Sequence, residues 1–266
     1  MMPAALLVSL AATLVASAPR PASLPGRAEP DTLRLVVGSK EIDGRVYHPH
    51  AARVRIRIGD PGAPVTTEWT NQLALGDSAG RQVMRWVTRG EHNAPSGSKV
   101  TWELRQTYDA RTLAPLGYHY RNSAGAWTSL RIDGMHVKGQ KRSAADTMLQ
   151  TVDATLDRPG FFAGASDLVP TAMALRPGLV LTVPLWSPSS STTTTHSFSV
   201  IDRRTVTVEG KALETWRVEE HDAGGKLVGT WYLVDRAPWM VYAETPLPDG
   251  RTQFITETEI PLSPDP

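Results

Sequence analysis

The chain has 266 residues, 41% hydrophobic and 21% charged, an ordinary globular composition with enough length to bury a sizeable core. Lys and Arg number 28 against 27 Asp and Glu, so a formal charge of +1 supplies no field to draw a nucleic-acid backbone or an anionic membrane. Cys is absent, which excludes disulfides, thiol chemistry, Cys-ligated metal and a lipid-modified N-terminal Cys.

Residues 4–18 (AALLVSLAATLVASA) are an apolar run closed by Ala16-Ser17-Ala18, the small-residue pattern of a cleavage site. This predicts a signal peptide over residues 1–18 and an exported protein, periplasmic or extracellular. No Lys or Arg precedes the run and Pro19 follows it; the alternative is a buried N-terminal helix. A membrane helix needs roughly 20 apolar residues, so no transmembrane anchor is expected in the mature chain. Residues 19–30 (PRPASLPGRAEP) offer no cap and several helix breakers, which predicts a flexible linker before a single β domain over residues 31–266.

From Thr32 onward apolar residues alternate with polar ones in short blocks separated by Gly, Asp, Asn and Pro, the pattern of half-buried antiparallel strands. Arg53-Val54-Arg55-Ile56-Arg57-Ile58 is the clearest; Val100-Trp102-Leu104, Leu179-Leu181-Val183-Leu185 and Leu227-Trp231-Leu233 follow the same rule. About a dozen strands fit. Turn strings at Ile42-Asp43-Gly44, Ser123-Ala124-Gly125, Ile132-Asp133-Gly134, Ala223-Gly224-Gly225 and Pro248-Asp249-Gly250 fall at hairpin spacing, which predicts a meander.

Two segments break the pattern. Phe161 to Leu175 (FFAGASDLVPTAMAL) is apolar and Ala-rich between Pro-Gly pairs, and reads as a helical segment interrupted at Pro170 that packs on the open face of the sheet or plugs a barrel end. Residues 187–199 (SPSSSTTTTHSFS) read as a polar loop or edge between two strands.

Gly76-Asp77-Ser78-Ala79-Gly80 matches the nucleophile elbow of serine hydrolases, which needs a helix after the serine; a strand-like Arg81–Thr88 follows instead, so the string reads as a hairpin turn. His48-Pro49-His50, with Glu91-His92, offers imidazoles to a metal without a nameable complete ligand set, and exposed turn histidines are the simpler reading. Arg53, Arg55 and Arg57 share a strand face that could receive an anionic head group; a solvated stripe that deters edge aggregation is simpler. Glu214, Glu219-Glu220 and the same-face pair Glu257 and Glu259 read as solvated strand faces.

Eight Trp residues are many for this length, and a concave sheet that leaves several of them open to its interior makes an apolar groove suited to a lipid. Trp69, Trp86, Trp102 and Trp231 are the candidate ligand-binding residues, with no catalytic residue, metal or cofactor expected.

Tyr108–Leu116 followed by Ile132–Gly139, and Val206–Gly210 running to Gly229–Asp235 and Trp239–Glu244, resemble exported bacterial proteins grouped as domain of unknown function 3108. Those are similar in turn to the periplasmic lipoprotein carriers and receptors of the Lol type. The resemblance covers roughly residues 100–260 and implies a strongly curved antiparallel sheet, a half-barrel or nearly closed barrel, with residues 161–175 against its concave face. The Ser/Thr segment and at least four candidate strands before residue 100 depart from it, and it supplies no catalytic residues. The expected function is a non-enzymatic cell-envelope protein binding an apolar ligand, a lipid or acyl chain. An assembly partner of another envelope protein and a serine hydrolase using Ser78 are the alternatives.

Overall fold

The computed structural model describes residues 31–93, 97–146, 148–188, 190 and 192–262; the expected leader and linker, residues 1–30, lie outside them. Within the described residues one sheet contains sixteen strands. A first meander runs through β2 (His50–Ile58), β3 (Thr67–Ser78), β4 (Arg81–Asn93), β5 (Lys99–Asp109), β6 (Pro115–Asn122), β7 (Trp127–Asp133), β8 (His136–Arg142) and β9 (Gln150–Thr155). A second runs through β11 (Leu179–Trp186), β12 (Thr193–Val208), β13 (Lys211–His221), β14 (Leu227–Leu233), β15 (Met240–Pro246) and β16 (Thr252–Ile260).

The two meanders are spliced by antiparallel pairing of β16 with β2, which sets Ile255 opposite Ile56 and Glu257 opposite Val54. Two short parallel strands, β1 (Asp31–Arg34) and β10 (Phe161–Phe162), share the outer edge of β11. The expected all-β meander is therefore present, and the sheet curls into a barrel-like form. Phe162, beside β11, packs its ring 5.3 Å from Tyr108 of β5 and 6.0 Å from Tyr118 of β6, across the interior.

Alternation decides which side chains enter that interior. On β2, Ala52, Val54 and Ile56 are buried while Arg53, Arg55 and Arg57 point outward. The arginine stripe is solvated as expected but also paired: Glu68 lies 2.9 Å from Arg55, and Glu209, from the β12–β13 hairpin, bonds the same guanidinium. On β11, Leu179, Leu181, Val183 and Leu185 are all fully buried.

Ala79 and Gly80, both at positive φ, form the two-residue turn between β3 and β4, with Ser78 opposite Arg81. The Gly-x-Ser-x-Gly string is thus a hairpin turn, and a strand follows it rather than a helix.

Three expectations are corrected. Residues 161–175 do not make a helix broken at Pro170: Phe161 and Phe162 pair with Leu185 and Trp186 as β10, a 3-10 turn covers Ala163–Ala165, and helix α1 is only Leu168–Thr171. Burying two Phe side chains, Phe162 with its ring 5.6 Å from Trp186, outweighs the helical preference of the alanines, and Pro170 sits in the first turn of α1, where its missing N–H costs nothing. The Ser/Thr segment is strand from Thr193 onward, because β-branched threonines suit a paired strand and Phe198 anchors it inward.

Ile42-Asp43-Gly44 is not a hairpin turn. Residues 35–49 cross the end of the barrel beside the β5–β6 turn: Gly44 N donates to Arg111 O at 2.7 Å and Asp43 N to Ala172 O at 2.9 Å. A Cβ on Gly44 would lie 2.3 Å from Ala110 O, so only glycine allows this approach. Tyr47, fully buried, donates from its hydroxyl to Leu168 O at 2.5 Å and ties the crossing segment to α1. Among the described residues no helix is long and apolar enough to cross a membrane.

Candidate functional site: a tryptophan-lined cavity

The register of β3, β4 and β5 stacks interior residues in rows: Trp69, Gly90 and Trp102 in one, Asn71, Thr88 and Leu104 in the next, Leu73, Trp86 and Gln106 in the third. The two outer indoles of the first row approach to 6.3 Å between centroids over a glycine. A Cβ on Gly90 would lie 2.6 Å from the Trp102 ring and 2.9 Å from the Cβ of Trp69, so the absent side chain is what admits both rings.

These rows form one wall of a cavity of about 350 Å³. Val54, Ile255 and Glu257 continue the wall through the β2–β16 splice, and Trp231 and Met240 close it on the far side. Ala163, Gly164, Ser166 and Asp167, in the segment leading into α1, lie against it. All four tryptophans named from sequence, Trp69, Trp86, Trp102 and Trp231, line this one space, which lies between the sheet and part of the 161–175 segment.

The cavity also carries polar groups that the sequence reading placed in solvent. Glu257 is only 2% exposed: its Oε1 accepts from Asn71 Nδ2 at 3.0 Å, and Asn71 Oδ1 accepts from Thr88 Oγ1 at 3.0 Å. Burial pushes the Glu257 carboxyl well above the ordinary glutamate value. Asp167 is raised to about 6, first by burial and further by the nearby Glu220 carboxyl. Glu220 is as buried as Glu257, with His196 Nδ1 2.7 Å from its Oε1 and Trp231 Nε1 donating to its Oε2 at 2.9 Å. The expectation of solvated carboxylates therefore fails at Glu220 and Glu257. Glu257 shares a strand face with buried-side Ile255, a period-two signal that was available.

The other motifs do not assemble. His48 is exposed, whereas His50 is buried between Trp86 and Trp239, at 5.7 and 4.7 Å, correcting the reading of both as exposed turn residues. Burial lowers the His50 pKa to about 4, and among the described residues its Nε2 has no hydrogen-bond partner. Glu91 pairs with Lys99 at the opposite end of the barrel. Among the described residues no group of three His, Asp or Glu is arranged to hold a metal. A second cavity of about 640 Å³ lies between β6–β9 and the end of β11, lined by Leu130, Val137, Val152, Leu156 and Trp186, with Lys141 and Arg142.

No family model and no curated protein matches the chain. Among solved structures it is similar to the crystal structure of a β-barrel-like protein of domain of unknown function 1849 from Brucella abortus, at 10% identity and a TM-score of 0.48, covering 80% of this chain and 98% of that one. The sequence resemblance to domain of unknown function 3108 is not shown by these matches.

Proposed function

We propose that this chain is a non-enzymatic binding protein of the cell envelope that holds the apolar body of a small ligand in its tryptophan-lined cavity. One observation carries the reading: four indoles from β3, β4, β5 and β14, three of them only partly buried, line one cavity, with Trp69 and Trp102 set side by side in its wall. Large aromatic side chains normally complete a core, and leaving them around a void forgoes much of that packing. A volume of about 350 Å³ lies at the small end of ligand pockets, roughly 300–1,000 Å³, which favours a single acyl chain over a two-chain lipid. The expected leader over residues 1–18 and the resemblance to domain 3108 and Lol-type carriers support an exported location.

The test is native mass spectrometry on protein exported by its own leader and purified without detergent, with organic extraction in parallel. The expected result is the processed mass carrying one lipid-sized adduct that extraction removes. An unprocessed mass overturns the exported location, and a chain empty both as purified and after incubation with single-chain lipids overturns the binding reading.

A second reading has one observation in its favour. Among the described residues β9 pairs with β8 alone, and Met148 and Leu149 beside it are 72% and 53% exposed. An added strand from an envelope protein would complete that edge. A stable crosslinked partner that Met148→Asp disrupts, with an empty cavity, would put this reading first.

A further inference from the structure

We infer that the ligand of the tryptophan cavity carries a protonated amine, seated against Asp167 and Glu257. This rests on the cavity being a binding site and names the chemistry of what it binds.

Both ionisable side chains lining the cavity are carboxyls, and no Lys or Arg lines it. Among the described residues no Lys or Arg belongs to the buried set, whereas Glu220 and Glu257 do and Asp167 is half-buried beside them, with His196 against Glu220. Buried carboxylates are ordinarily paired with a cation, and Glu103 on the outer face shows the ordinary solution in this same chain, lying within 3.2 Å of Arg89, Arg105 and Arg121. Among the described residues the cavity carboxyls have no such partner.

The surroundings orient Glu257 as an acceptor. Because the Thr88 hydroxyl occupies the Asn71 carbonyl, the Asn71 amide presents its NH₂ to Glu257 Oε1. Trp231 is likewise held by its bond to Glu220, which sets one indole in the cavity wall. Carboxyl oxygens beside indole rings suit an ammonium, which takes hydrogen bonds from its N–H groups to the former and cation–π attraction from the latter. Only a cationic head draws these carboxyls into their ionised forms; a neutral head leaves them protonated, and an anionic head is repelled wherever either is ionised. In the empty cavity burial favours the protonated carboxyls; an entering ammonium stabilises the ionised forms, and the displaced protons leave to solvent.

The experiment compares three probes with one tail and different heads, octylamine, 1-octanol and octanoate, by titration calorimetry and tryptophan emission on the full exported chain at neutral pH. Octylamine is expected to bind at least about tenfold more tightly than octanol, the scale of a desolvated cation–π and ion-pair contact, with octanoate weakest. Glu257→Gln and Asp167→Asn are expected to weaken octylamine about tenfold, down towards the octanol level. Denaturant unfolding checks that the variants fold, and the wild-type comparison needs no variant. If octanol or octanoate equals octylamine, the amine inference falls while the apolar cavity stands. If none of the three binds, the cavity reading fails and the inference with it.

Discussion

Trp102 and Gly90 face each other across β5 and β4, and the indole of Trp102 fills the place where a side chain on residue 90 would begin, 2.6 Å from an ideal Cβ. The same Cβ would lie 2.9 Å from the Cβ of Trp69, which cannot rotate away. Gly90→Ala is therefore expected to push both indoles apart and cost about 1–3 kcal/mol, the usual range for overpacking. Denaturant unfolding reads the loss, and a shifted tryptophan emission reports the moved rings; an unchanged midpoint and spectrum would show that the row has slack.

Asp167 makes stability fall as pH rises. Its pKa, raised to about 6 from 3.8, means that the folded chain keeps a proton the unfolded chain has lost; Glu220, Glu257, Tyr47 and Tyr108 are the ionisable groups around it. The stabilisation is complete below pH 3.8 and is lost as pH approaches about 6, a fall of up to about 3 kcal/mol. Unfolding free energies at intervals from pH 4 to 7 should show this fall in the wild type and its loss in Asp167→Asn. A parallel pair of curves would place Asp167 in contact with water.

His50 works in the opposite sense. Its pKa is lowered from 6.5 to about 4, so the unfolded chain binds the proton first and stability drops as pH falls through that window. His50→Phe keeps a ring between Trp86 and Trp239 and removes a buried nitrogen with no partner. The variant is expected to gain about 1 kcal/mol at pH 7 and more below pH 6. Equal stability of the two proteins at both pH values would imply that Nε2 is solvated.

Ser78 sits exposed beside a two-residue turn whose Ala79 and Gly80 both take positive φ. An attacking serine needs a base within hydrogen-bond reach and donors for the oxyanion, and the turn supplies neither in sequence nor in register. A fluorophosphonate probe is expected to leave the chain unlabelled. Labelling that disappears in Ser78→Ala would replace the binding proposal with a hydrolase.

Local rules made the sheet readable. The Arg53–Ile58 alternation names the buried face of β2, and the Gly- and Asp-bearing strings after Asn122, Asp133, His221 and Pro246 mark hairpins that the structure contains. The four tryptophans were also nameable, because each falls within or beside a candidate strand, Trp102 and Trp231 in alternating blocks. What escaped depends on partners distant in the chain. Glu257 is buried because β16 docks on β2, and its hydrogen-bond partner Asn71 is 186 residues away. Phe161 and Phe162 are strand because Leu185 and Trp186 lie alongside, and Gly44 is a close-approach glycine because Ala110 passes over it. No window of neighbouring residues contains these facts.

The splice of β16 to β2 also has a bearing on how the chain matures. The cavity wall is divided between the first meander, which supplies Val54, and the last strand, which supplies Glu257, so the wall cannot exist until the C-terminal strand has emerged. Closing so long a loop is entropically slow, and the nascent chain would meanwhile present the open edge of β2. A chain that stops before Thr252 would retain two meanders, each with a bare edge ready to pair with another copy. Completion of the last nine residues of the sheet is thus what turns an aggregation-prone intermediate into a chain with a finished cavity wall.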